Sequence, residues 1–175
     1  MYVTAPQAGG LLRTVPMTWW AALSVGSAAI HFAVIPDHLE EWWAFGLAFA
    51  LLGWFQAVWP IVYLDRPTRR LAWIAIVVNL ATVVVWAWSR TAGLPVGPEP
   101  GMPEAVGAAD LIATAFELAL VALVVGLLGT QSIAIPASSE RTPSSGRQRQ
   151  AGAVNLAIWL LVAALSTIAI ALGSG

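Results

Sequence analysis

The chain has 175 residues, of which 59% are hydrophobic and 10% charged, with a formal net charge of −1 and a mean hydropathy of +0.79. Soluble domains carry roughly 25% charged residues, so this composition excludes a water-covered globule, and the near-zero charge offers no electrostatic case for a nucleic-acid partner. Cysteine is absent, which excludes disulfides, thiolate metal sites and thiol catalysis. The apolar residues come in long runs separated by short charged or Pro/Gly-rich stretches. A bilayer demands that pattern, because each spanning helix needs about 20 largely apolar residues. A transmembrane β-barrel would instead alternate apolar and polar residues over segments of about 10. The fold class predicted is therefore all-α, a polytopic membrane helix bundle with the lipid bilayer as its main partner.

Residues 1–16 are polar, contain Gly and Pro, and carry Arg13; they read as a short cytoplasmic lead. A first span is predicted over 17–35. Pro36 stops or kinks it, since proline lacks an N–H and disfavours helix at the residue before it. The second span is predicted over 42–64, with Pro60 as a kink, and the stretch from Asp65 to Arg70 is a tight charged turn. The third span follows over 71–88. Residues 89–109 form a Pro/Gly-rich loop that is long for a bundle connection. A fourth span over 110–128 completes a four-helix core spanning 17–128. Residues 129–153, rich in Ser, Pro, Arg and Gln, read as a flexible cytoplasmic linker, and a fifth span is predicted within 154–175.

The arginines set the orientation through the positive-inside rule. Arg13, Arg66, Arg69, Arg70, Arg141, Arg147 and Arg149 fall in alternate loops on one side, and Arg90 alone lies on the other, with most of the acids. The N-terminus is thus expected inside and the C-terminus outside, in a multi-pass protein of a bacterial cytoplasmic membrane. Arg13 with the apolar run before Ser27-Ala28-Ala29 loosely imitates a signal peptide; cleavage there would leave four spans. Trp19, Trp20, Trp42, Trp43, Trp86 and Trp88 lie near span ends, as interfacial anchors do.

Ionisable residues inside spans are costly and point to function. His31 and Glu117 are two such residues. Counted at 1.5 Å per residue from the expected outer span ends, His31 lies about 6 Å deep, Glu117 about 10 Å and Asn79 about 13 Å. Ser24, Ser27 and His31 share one face of the first span; Asp110, Thr114 and Glu117 share one face of the fourth. The two stripes are expected to face each other, with His31 and Glu117 in contact directly or through one ion. The candidate metal ligands are His31, His38, Glu41, Asp110 and Glu117, which as N and O donors could hold zinc or another divalent transition metal. Ser27, Asn79, Arg90 and Thr114 are the supporting polar residues. The spacing matches no standard metal motif, and a structural reading stands beside it: a buried His31–Glu117 hydrogen bond, Asp110 as a helix N-cap, and Glu40 and Glu41 as a solvated rim. Gln56, placed on the inner side with no ionisable companion, reads as packing. Gly46 and Gly53, seven apart, predict close helix packing.

Haem between helices commonly uses opposed histidines, and only one His lies within a span. A transporter built from repeats would show two related halves, and none are visible. The leading functional reading is an accessory or assembly subunit with a structural His/carboxylate cluster, partnered with another membrane protein or a second copy of itself. The alternatives are a metal-binding protein or metal-dependent enzyme at the outer face, with loop 89–109 as a lid, and a proton or ion path through His31 and Glu117.

Overall fold

A computed structural model describes residues 18–133, together with Ala164 and Ser166. Among the described residues the chain forms four helices: α1 (Thr18–Glu41), α2 (Trp43–Asp65), α3 (Arg69–Thr91) and α4 (Ala108–Ile133). All four are long and apolar enough to cross a membrane, as expected of a small integral membrane protein. The lead 1–16, most of the linker and the fifth span lie outside the described residues. Of that span only Ala164 and Ser166 are described, both helical; buried Ser166 donates from its hydroxyl to the Gly26 carbonyl on α1 at 3.3 Å.

Pro36 does not end α1. The helix runs through it to Glu41, because one proline removes one backbone donor without abolishing its neighbours' bonds. The break falls instead at Trp42, whose extended backbone separates α1 from α2. The two helices then pack closely. A Cβ on Gly46 would collide with Leu39, and one on Gly53 would lie 2.9 Å from the Phe32 ring, so both glycines supply the close approach that their spacing predicts. Pro60 lies inside α2 and leaves the Gln56 carbonyl without its helical N–H partner. The Ser24 hydroxyl of α1 takes that place, donating to the Gln56 carbonyl at 2.7 Å. Neighbouring hydroxyls commonly make proline tolerable in membrane helices in this way.

α1 packs against α2 and α4, and α3 packs against α4, while α2 and α3 barely meet. The order around the bundle is therefore α2–α1–α4–α3, with a loose seam between α2 and α3. A short turn joins those two at one end, where Thr68 caps α3 by accepting from the Leu71 N–H. That end carries Arg66, Arg69 and Arg70 and is called here the arginine end. The opposite, acidic end carries Glu40, Glu41, Glu104 and Asp110.

The arginine-end half is densely packed. Trp20 meets Trp59 and Tyr63 edge-on at centroid distances of 5.3 and 4.9 Å, Trp59 stacks on Tyr63 at 5.1 Å, and Trp59 Nε1 donates to the Leu71 carbonyl at 2.9 Å. Ala72, Ala75, Ile76, Leu120 and Val124 complete this core. Trp20 is thus a core residue and not the interfacial anchor its position near a span end suggests. Trp43 and Trp88 are exposed, as anchors should be.

Candidate functional site

Each helix contributes one polar side chain to a buried layer. His31 of α1 is 5% exposed, Gln56 of α2 0%, Asn79 of α3 1% and Glu117 of α4 2%. The Gln56 amide donates both of its protons, to Asn79 Oδ1 at 3.1 Å and to Glu117 Oε1 at 3.0 Å. His31 Nε2 lies 3.0 Å from the same Glu117 oxygen, and the Ser27 hydroxyl approaches Nε2 at 3.3 Å. Asn79 closes the chain by donating from Nδ2 to the Ala75 carbonyl at 2.8 Å. The expected His31–Glu117 contact is present and direct.

Two details differ from the sequence reading. Gln56 is a member of this layer and links α2 to both Asn79 and Glu117, so it is more than packing. The layer also lies further from the helix ends than the expected span ends would put it. Because α1, α3 and α4 extend further toward the acidic end than those spans, its four members sit between about 13 and 20 Å from the acidic ends of their helices, at 1.5 Å per residue. The signal for Gln56 was available. Gly46, Gly53, Gln56, Pro60 and Tyr63 are all buried and recur at helical spacing on one face of α2.

Between this layer and the acidic end lies a cavity of about 450 Å³, bounded by all four helices. His31 and Glu117 line its floor, and Phe45, Phe49, Leu52, Val78 and Val85 form much of its apolar wall. Thr114 and His38 also line it. Since α1 is continuous through Pro36, His38 falls on the same face as His31, seven residues on, and Phe49 packs against both rings at 5.5 and 4.2 Å. His38 donates from Nδ1 to the Val34 carbonyl at 2.8 Å. No sequence pattern announced the cavity. It arises from the splay of α2 from α3.

At the acidic end Arg90, the last-turn arginine of α3, bonds to Glu104 of the loop and to Asp110 of α4, the latter at 2.7 Å. Asp110 is the third residue of α4 and not its N-cap. Its carboxylate reaches back to accept from the Gly107 N–H at 3.0 Å, which is half of a capping box. The loop is a fixed plug. Glu104 donates its N–H to the Ser89 carbonyl at 3.0 Å. Gly93 turns the chain out of α3 at φ +73, where a Cβ would strike the backbone of Gly101 and Met102.

The five candidate ligands are therefore not brought to one point. His31 and Glu117 pair in the buried layer, His38 turns to Val34, Asp110 is held by Arg90, and Glu41 is exposed at the end of α1. Among the described residues no three His, Asp or Glu side chains converge as a metal site requires. The metal reading lacks a donor set, because the helical faces that bring His31 to Glu117 direct the other three elsewhere.

Comparison of the chain with protein-family models, with curated proteins and with solved structures finds no match.

Proposed function

We propose that this protein binds a small lipid-soluble molecule in the cavity between its four helices, with the His31–Glu117 pair as the polar contact at the cavity floor. The observation that carries this reading is the coincidence of a mostly apolar cavity with a nearly fully buried imidazole and carboxylate at its base. Ligand sites are typically of this size, mainly apolar, and supplied with a few convergent polar groups. An accessory or assembly subunit with a purely structural polar cluster would need the layer but not the open volume beside it.

The orientation that completes this proposal follows from the arginines: five spans, N-terminus inside and C-terminus outside, in a bacterial cytoplasmic membrane. The cavity then faces the outer leaflet. A reporter fused after Gly175 is expected to be active only outside the cytoplasm, and an active cytoplasmic fusion at that point overturns the five-span topology.

Binding is tested with an apolar, environment-sensitive fluorophore added to the purified full chain. Saturable binding is expected, and Ala113→Trp, which fills the cavity wall on α4, is expected to weaken it at least about tenfold. Non-saturable partitioning, equal in wild type and variant, overturns the reading.

A second reading, proton exchange at His31–Glu117, is favoured by one observation. His38 and Asp110 line the same cavity between the pair and the acidic end, whereas Trp20, Trp59 and Tyr63 fill the arginine-end half. The pair meets the cavity on one side and packed side chains on the other, which suits proton exchange with the cavity and not conduction across the bundle. Proteoliposomes are accordingly expected to show no proton leak above that of empty vesicles.

A further inference from the structure

The cavity's polar groups gather at its two ends, the floor and the acidic end. At the acidic end, two N–H donors have no acceptor: Trp86 Nε1 and Arg90 Nε are both buried and unpartnered, and both side chains line the cavity. The rest of the Arg90 guanidinium is engaged by Glu104 and Asp110. Buried donors in native proteins nearly always find a partner, because leaving one unmade is expensive. Trp19 Nε1 and Gln56 Oε1 are also unpartnered, but Trp86 and Arg90 are the two whose side chains line the cavity, and they point to an acceptor within it.

We infer that Trp86 and Arg90 recognise a carbonyl oxygen on a neutral, lipid-soluble molecule that enters from the bilayer between α2 and α3. This deepens the ligand-binding reading and rests on it. Neutrality follows from the local charge. One guanidinium already faces two carboxylates, so an anionic head would meet net negative charge, while a cationic head would leave both donors without an acceptor. A carbonyl satisfies the donors without adding charge. The route follows from the seam. Ala48 of α2 and Val77, Ala81 and Val85 of α3 line the cavity and are exposed. At the acidic end the way is closed by the loop, where Leu94 and Glu104 line the cavity and Gly97 abuts Phe45. Quinones and acyl esters both present such a carbonyl on an apolar body.

The test titrates the full chain in detergent with three probes that each carry a ten-carbon chain: a decyl-substituted benzoquinone, a decanoyl monoglyceride and decylbenzene. A carbonyl probe is expected to bind about tenfold more tightly than decylbenzene, which has no acceptor. Whichever carbonyl probe binds more tightly identifies a quinone or an ester source. Trp86→Phe removes one donor and keeps the ring; Arg90→Lys removes Nε and keeps the charge. Each is expected to weaken the preferred carbonyl probe about fivefold and to leave decylbenzene unchanged. If Arg90→Lys does not fold, Trp86→Phe decides alone. Equal affinity for all three probes, undisturbed by Trp86→Phe, overturns carbonyl recognition and leaves the cavity as a ligand site. Failure of all three to bind overturns the ligand-binding reading itself.

Discussion

The two halves of the bundle are made from the same four helices and the same kind of apolar sequence, yet they pack in opposite ways. In the arginine-end half, two tryptophans and a tyrosine interlock between α1 and α2, and small residues of α3, Ala72 and Ala75, let its backbone come close. In the acidic-end half, α2 and α3 diverge and their side chains line a cavity. The polar layer of His31, Gln56, Asn79 and Glu117 marks the boundary. In a lipid environment there is no hydrophobic force between helices, and close packing and hydrogen bonds decide where they touch. The layer and the aromatic cluster hold the bundle at one end, which leaves α2 and α3 apart beside the cavity at the other.

Substitutions can break or sharpen this contrast. The largest effect is expected from Trp20→Ala, which deletes a fully buried ring and two aromatic contacts and should cost on the order of 3 kcal/mol, read as the melting temperature in detergent. A loss near zero would mean that the arginine-end half is not the stabilising one. A paired test on α3 comes next. Ala75→Leu enters the packed half and should cost about 1–3 kcal/mol, whereas Ala81→Leu enters the cavity wall and should change stability by less than about 0.5 kcal/mol. Equal penalties at the two positions would erase the difference between the halves. The smallest effect concerns the boundary itself. His31→Ala and Glu117→Ala should each destabilise the protein, and the double variant should fall short of their sum by about 1 kcal/mol, within the range measured for interhelical hydrogen bonds in membranes. Additive losses would show that the pair is a neighbour relation without energetic coupling.

Much of this was legible in the residues. The four described spans, the glycine contacts of α1 with α2 and the His31–Glu117 contact follow from hydropathy and helical spacing, because those rules act within a single helix or on a face. What escaped was set by relations between helices. Pro36 suggested an early end to α1, whereas the helix continues to Glu41 and breaks at the extended Trp42. Gln56 looked isolated because its partners, Asn79 and Glu117, lie on α3 and α4, far along the chain. Trp20 resembled an anchor because position near a span end cannot distinguish the lipid face from the core face. The cavity needs the seam between α2 and α3, and no single-helix pattern encodes a gap between two others. Arg90 and Asp110 stand out in the residues as polar groups near the outer end, while the choice of Glu104 and Asp110 as partners of Arg90 depends on the path of the loop.

The distribution of one polar residue per helix also bears on how the protein is made. Each helix must first enter the bilayer from the insertion machinery, and a single acid at the centre of an apolar span adds only about 2.5–3.5 kcal/mol to that step on insertion-derived scales. α4 is the most hydropathic of the four candidate spans and is the one that carries the acid, so its leucines and valines offset the cost of Glu117. After insertion the balance reverses. A nascent chain holding only α1 and α2 exposes the Gln56 amide and the His31 imidazole to lipid until Asn79 and Glu117 arrive. The arrival of α4 is thus the event that gives His31 and Gln56 their shared partner Glu117, and a chain truncated before α4 would leave the His31 imidazole without it in the hydrocarbon.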